Sequence, residues 1–209
     1  MKHVSSKSDG FTLVELLVVI SIITLLAGLT IATMGGAQTS AARNRTKGEI
    51  SALSVAIESY KIDNGDYPRD TNTDGLDATT STSSGALVST TPTSYMLASL
   101  ALYKALSCDG VDGSTPDRVL STAEKAAGRV YFSFKSGMLY PKAPAGSTTT
   151  VTALLDPFRN VYGYSTKNLA DVQAGAATPG GYNPTFDLWS TADHDQAGAT
   201  PTAAWITNW

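Results

Sequence analysis

The chain has 209 residues, with 15 Lys and Arg against 18 Asp and Glu and a formal net charge of −3. From Asp63 onward the balance is nine basic to fourteen acidic residues, which argues against nucleic acid as a partner. The single cysteine, Cys108, excludes an intrachain disulfide.

The first ten residues, MKHVSSKSDG, carry Lys2 and Lys7 but neither an apolar core nor an A-x-A cleavage site, so they are not a secretory signal peptide. From Phe11 to Met34 there follow 24 residues in which Glu15 is the only charge. As a helix this run would be about 36 Å long, against a hydrocarbon core of roughly 30 Å, so it is expected to span a membrane. A carboxylate near the middle of such a segment costs about 2.5–3.5 kcal/mol. Glu15 lies five residues in, where it either snorkels to the interface or is paired in an assembled state. The basic leader places the short side in the cytoplasm, although Arg43, Arg45 and Lys47 beyond the run weaken that asymmetry.

The string GFTLVEL, Gly10 to Leu16, after a short basic leader, resembles the class III leader of type IV pilins and type II secretion pseudopilins. The resemblance implies that a membrane prepilin peptidase cuts between Gly10 and Phe11 and methylates the new amino group of Phe11. It also implies that Glu15 pairs with the amino terminus of a neighbouring subunit, a positive charge supplied only on assembly.

From Gln38 to Lys61 the pattern is helical but no longer membranous, with Ile50, Leu53, Ile57 and Tyr60 on one face. One helix is expected to run from the membrane into the following domain, with the Gly35-Gly36 pair as its soft point. YKIDNGDYP, Tyr60 to Pro68, ends the helix with an Asn-Gly turn and a proline. It resembles the string that closes the long helix of the G-type major pseudopilin. DPFRNVYGY, Asp156 to Tyr164, is similar to that branch's D-P-W-G-N-x-Y-x-Y, and FDLWSTADHD, Phe186 to Asp195, with ITNW at 206–209, resembles its C-terminal motifs. Alternation in Val130 to Phe134, Val161 to Tyr164 and Phe186 to Ser190 predicts short strands. Between these motifs, Thr79 to Thr93 is a Ser/Thr-rich loop and Tyr95 to Leu106 a short core helix carrying Met96, Leu100, Tyr103 and Leu106 on one side.

DTNTDG, Asp70 to Gly75, fits the first half of a calcium loop, with Asp70, Asn72 and Asp74 as candidate ligands, but its twelfth position is Ser81 rather than an acid. The resemblance implies a second calcium site at Asp193 and Asp195, although Trp205 stands where the family usually has an acid. His194, between those two acids, has no accompanying catalytic motif, and no enzyme activity is expected.

The expected fold is α+β, the pilin fold: a long N-terminal helix, its first half membrane-spanning, packed on a small antiparallel β-sheet with long loops. Residues 1–10 form the cleaved leader, 11–34 the transmembrane and assembly helix, 35–62 its amphipathic continuation and 63–209 the periplasmic or extracellular domain. The resemblance implies a structural subunit of a type II secretion pseudopilus in the inner membrane. Its partners would be further copies of itself, the prepilin peptidase, the assembly platform, minor pseudopilins and membrane lipid. A type IV pilus subunit is the near alternative, and a single-pass anchored domain that never polymerises the distant one.

Overall fold

The computed structural model describes residues 11–81, 93–144, 148–192 and 204–209, apart from the side chains of 29–35. Helix α1 runs without interruption over Leu13–Asn64, 52 residues. It passes through Gly35-Gly36 as helix, although each glycine costs roughly 1 kcal/mol against alanine there. Its end is set locally: Gly65, at φ +84°, takes the left-handed position that glycine adopts without a Cβ penalty, and its N–H donates to the Lys61 carbonyl at 2.8 Å.

The chain divides into two compact units at residues 41 and 42. In the first, every large apolar side chain from Phe11 to Leu26 is exposed, Phe11 and Leu13 at 79%. Among the described residues no helix is long and apolar enough to cross a membrane; the apolar run in the sequence extends from Phe11 to Met34, beyond the last side chain described in that stretch, Gly28.

In the second unit the amphipathic part of α1 buries Ile50, Leu53, Ala56 and Ile57, the face that the spacing predicts, with Tyr60 half-buried beside them. Around it stand α2 (Thr71–Gly75), α3 (Ser94–Ser107), α4 (Thr122–Ala127) and α5 (Lys167–Gln173). Two antiparallel ladders complete the unit. Strands β1 (Leu139–Tyr140) and β2 (Ala153–Leu154) form one; β3 (Gly163–Ser165), β4 (Asp187–Ser190) and β5 (Ile206–Thr207) form the other, in that order. Helix α3 presents Met96, Tyr103 and Leu106 to the core, and Leu100 is only partly buried. The protein is therefore of the α+β class, with a helix-and-small-sheet arrangement consistent with the pilin fold.

The strand expected at Val130 to Phe134 does not form. The N–H groups of Tyr131 and Phe132 both donate to the Leu106 carbonyl at the end of α3, at 2.8 and 3.0 Å, so the segment is tied to a helix end and pairs with no neighbouring strand. Strands β1, β2 and β5 are only two residues long, too short to leave an alternating pattern.

Candidate assembly site and the C-terminal seam

At the start of α1, Thr12 and Glu15 bond reciprocally. The Glu15 N–H donates to Thr12 Oγ1 at 3.2 Å, while Glu15 Oε2 accepts from the Thr12 N–H at 3.0 Å and from its hydroxyl at 2.8 Å. This is a capping box, which satisfies N–H groups that the first helical turn leaves without partners. The sequence carries a signal for this cap, Thr-x-x-Glu before an apolar run, which the prepilin-like string GFTLVEL overlays. Glu15 is exposed and so is Phe11 beside it, whereas Gly10 lies outside the described residues.

The Tyr residues of the DPFRNVYGY string join the sheet to α1. Buried Tyr162 donates its hydroxyl to Glu49 Oε2 at 2.8 Å, and buried Tyr164 donates to the Pro68 carbonyl, at the helix-closing motif, at 2.7 Å. Burial pushes both phenols up, so they remain neutral donors. The Asp156 carboxylate, also buried, accepts from the Asn160 N–H at 2.8 Å and the Ser190 hydroxyl at 2.5 Å. Asn160 Nδ2 in turn donates to the Ala192 carbonyl at 2.6 Å. The DPFRN turn therefore clamps the end of β4 immediately before Asp193. Burial raises Asp156 to about 6, partly opposed by the Ser190 hydrogen bond.

Asp193, His194 and Asp195 lie outside the described residues. Later in the chain Trp205 is buried and lies parallel to Trp189, ring centroids 6.4 Å apart. The position that the resemblance gives to an acid is thus apolar core and offers no side-chain oxygen to a cation. Asp70, Asn72 and Asp74 are described. Asp70 caps α2: its Oδ1 accepts from the N–H of Asn72 and of Thr73, and its Oδ2 from Asn72 Nδ2. Asp74 accepts at Oδ2 from Arg69 Nη2 at 2.9 Å and at Oδ1 from the Thr166 hydroxyl at 2.7 Å. A cation there would have to displace these partners, and among the described residues no group of three His, Cys, Asp or Glu is placed to hold a metal.

Residues 5–31 match the prokaryotic N-terminal methylation motif, and the resemblance to the pilin-like class rests on that stretch and the helix it opens. Within the class, residues 33–101 match type II secretion system protein G. The type II secretion system core protein G of Aeromonas hydrophila is 40% identical over 72 residues, 34% of this chain and 49% of that protein. The proteins of the same name from Escherichia coli K12 and Vibrio cholerae are 39% and 38% identical over 74 and 72 residues, 35% and 34% of this chain and 50% and 48% of theirs. The chain spans about half the length of the curated relatives it matches. No solved structure matches. The resemblance to G-type major pseudopilins holds for this N-terminal region, and the C-terminal strings fall beyond residue 101, where the family match ends.

Proposed function

We propose that the chain is a structural subunit of a type II secretion pseudopilus, held in the inner membrane by its N-terminal helix and assembled from there into a short filament that serves protein export. The observation that carries this reading is the unburied apolar helix start: twelve large apolar side chains from Phe11 to Leu26 are exposed, and they surround a single carboxylate. Such a surface requires lipid, neighbouring helices or both. Before assembly the run from Phe11 to Met34 would cross the bilayer with the second unit in the periplasm. After assembly neighbouring copies would replace the lipid.

Cleavage between Gly10 and Phe11 by a prepilin peptidase, with methylation at Phe11, would bring the amino group one residue away from Thr12. Glu15 would then meet the amino terminus of the next copy. Because the capping box uses only Oε2, Oε1 stays available for that pairing. The assembly platform and minor pseudopilins are the further partners of this proposal. Calcium belongs to it at Asp193 and Asp195; Asp70, Asn72 and Asp74, the second candidate set, would bind it only by giving up the α2 cap and the pairing with Arg69.

Mass spectrometry of the N-terminal peptide tests the reading, with material from the envelope and from the sheared cell surface taken in parallel. A chain starting at methylated Phe11 in the envelope alone is the expected result. The same peptide in sheared material would make it a surface pilus subunit, and an intact Met1 in both would overturn processing altogether.

A further inference from the structure

The part of the chain between α3 and β2 lies beyond the stretch matched to type II secretion protein G, and it contains a cavity of about 300 Å³. Its apolar wall comes from Tyr103 on α3 and from Phe132 and Phe134 on the segment tied to the end of α3. The rings already form a cluster, with centroids of Tyr103 and Phe134 5.1 Å apart and of Phe132 and Phe134 4.7 Å apart. Two charged residues, Asp109 and Arg118, also line the cavity.

These two charges are not equivalent. Buried Asp109 is fully engaged: it accepts from the Tyr103 hydroxyl at 2.5 Å and from the N–H groups of Asp117 and Arg118 at 3.1 and 2.7 Å. Arg118 is not. Its Nε donates to the Thr149 carbonyl at 2.9 Å and its Nη2 to the Pro141 carbonyl, both neutral acceptors. Nη1 is buried without a hydrogen-bond partner, and no carboxylate forms a salt bridge with the guanidinium among the described residues. The backbone of Arg118 is also held in the left-handed region, φ +73°, an uncommon conformation for a non-glycine residue, by its N–H bond to Asp109. A fixed guanidinium that no described carboxylate pairs, lining a cavity with an aromatic wall, is the arrangement that recognises a carboxylate attached to an apolar body.

We infer that this cavity binds a small aromatic carboxylate, its ring against Phe132 and Phe134 and its carboxylate on Arg118. The volume is at the lower end for ligand pockets, which suits one ring with a short acid arm. The cavity's residues belong to the second unit and are distinct from Phe11 and Glu15.

The test is a titration of the full chain in lipid nanodiscs with 3-phenylpropionate and, separately, with its neutral amide, read by NMR shifts of the Phe132 and Phe134 rings. The expected result is saturable movement of both rings by the carboxylate, with the amide weaker by roughly tenfold or more. Arg118→Gln should abolish the response. Should that variant not fold, Ser133→Trp, which narrows the cavity from an exposed position, must abolish it instead. Equal binding of acid and amide, absence of saturable movement, or an unchanged response in a folded Arg118→Gln or Ser133→Trp chain would overturn the assignment.

Discussion

Asp156 and Glu124 are buried carboxylates whose environments push them in opposite directions. The Glu124 carboxylate accepts from the N–H groups of Gly110 and Ser121, which hold it down at about 2, so its stabilisation is complete above its ordinary value of 4.5 and is lost as the pH falls. Asp156 is raised by burial from 3.8 to about 6, so the stability linked to its protonated form is complete below 3.8 and is lost as the pH rises through about 6. Asp156→Asn keeps the acceptor for the Asn160 N–H, at the cost of turning the Ser190 hydroxyl. The variant should gain on the wild type by on the order of 2 kcal/mol between pH 4 and 7 in denaturant unfolding, and an identical pH slope for the two chains would refute this. Glu15 allows a second separation of roles. Glu15→Gln retains an oxygen for the Thr12 N–H but loses the charge, whereas Glu15→Ala loses both. Both variants should insert into membrane and both should fail to assemble in a pulldown of cross-linked filaments; normal filaments from Glu15→Gln would show that capping, not charge pairing, is what Glu15 supplies.

Among the elements, β3 shows how closely the sheet is built. Gly163 pairs with Trp189 across the ladder, and a Cβ at Gly163 would lie 2.1 Å from Trp189 Cε2, so the indole occupies the space that any other residue would need. Gly163→Ala should destabilise the fold by about 1–3 kcal/mol, seen as a lowered melting temperature. The sequence makes some elements readable and hides others for physical reasons. The amphipathic face of α1 follows from 3.6-residue periodicity sustained over several turns, and its end from an Asn-Gly pair and a proline. β4 also shows as a strand pattern, four residues buried throughout. The Val130 to Phe134 segment alternates equally well, yet whether a strand pairs is decided by its neighbours, which the pattern does not contain. DTNTDG shows the same limit in a site: alternating Asp and Asn oxygens suit both a cation loop and a helix cap, and here Asp70 caps α2. The setting of the Arg118 guanidinium is equally hidden, because it depends on carbonyls at positions 141 and 149, distant in sequence.

For the whole molecule, the division at residue 41 separates an apolar helix from a unit with its own core. That unit holds Ile50, Leu53 and Ile57 of α1 packed with residues as distant as Leu188 and Ile206. A chain covering residues 42–209 should therefore be soluble without detergent and unfold cooperatively, and a non-cooperative melt would show that the unit depends on the first 41 residues. The same material tests calcium. Chelation should lower its melting temperature by several degrees and the ion should be recovered in stoichiometric amount; an unchanged melt with no bound ion removes both Asp193 with Asp195 and the Asp70, Asn72 and Asp74 set.

The three tryptophans of the chain, Trp189, Trp205 and Trp209, gather in one aromatic seam: Trp189 lies parallel to Trp205 and edge-on to Trp209, which stacks on Tyr182 at 4.5 Å. Intrinsic fluorescence of this protein is therefore a local instrument. Its emission reports whether the C-terminal strands β4 and β5 are closed on each other. The N-terminal helix contains no indole, so this signal follows the C-terminal seam and not the apolar helix start, without any label.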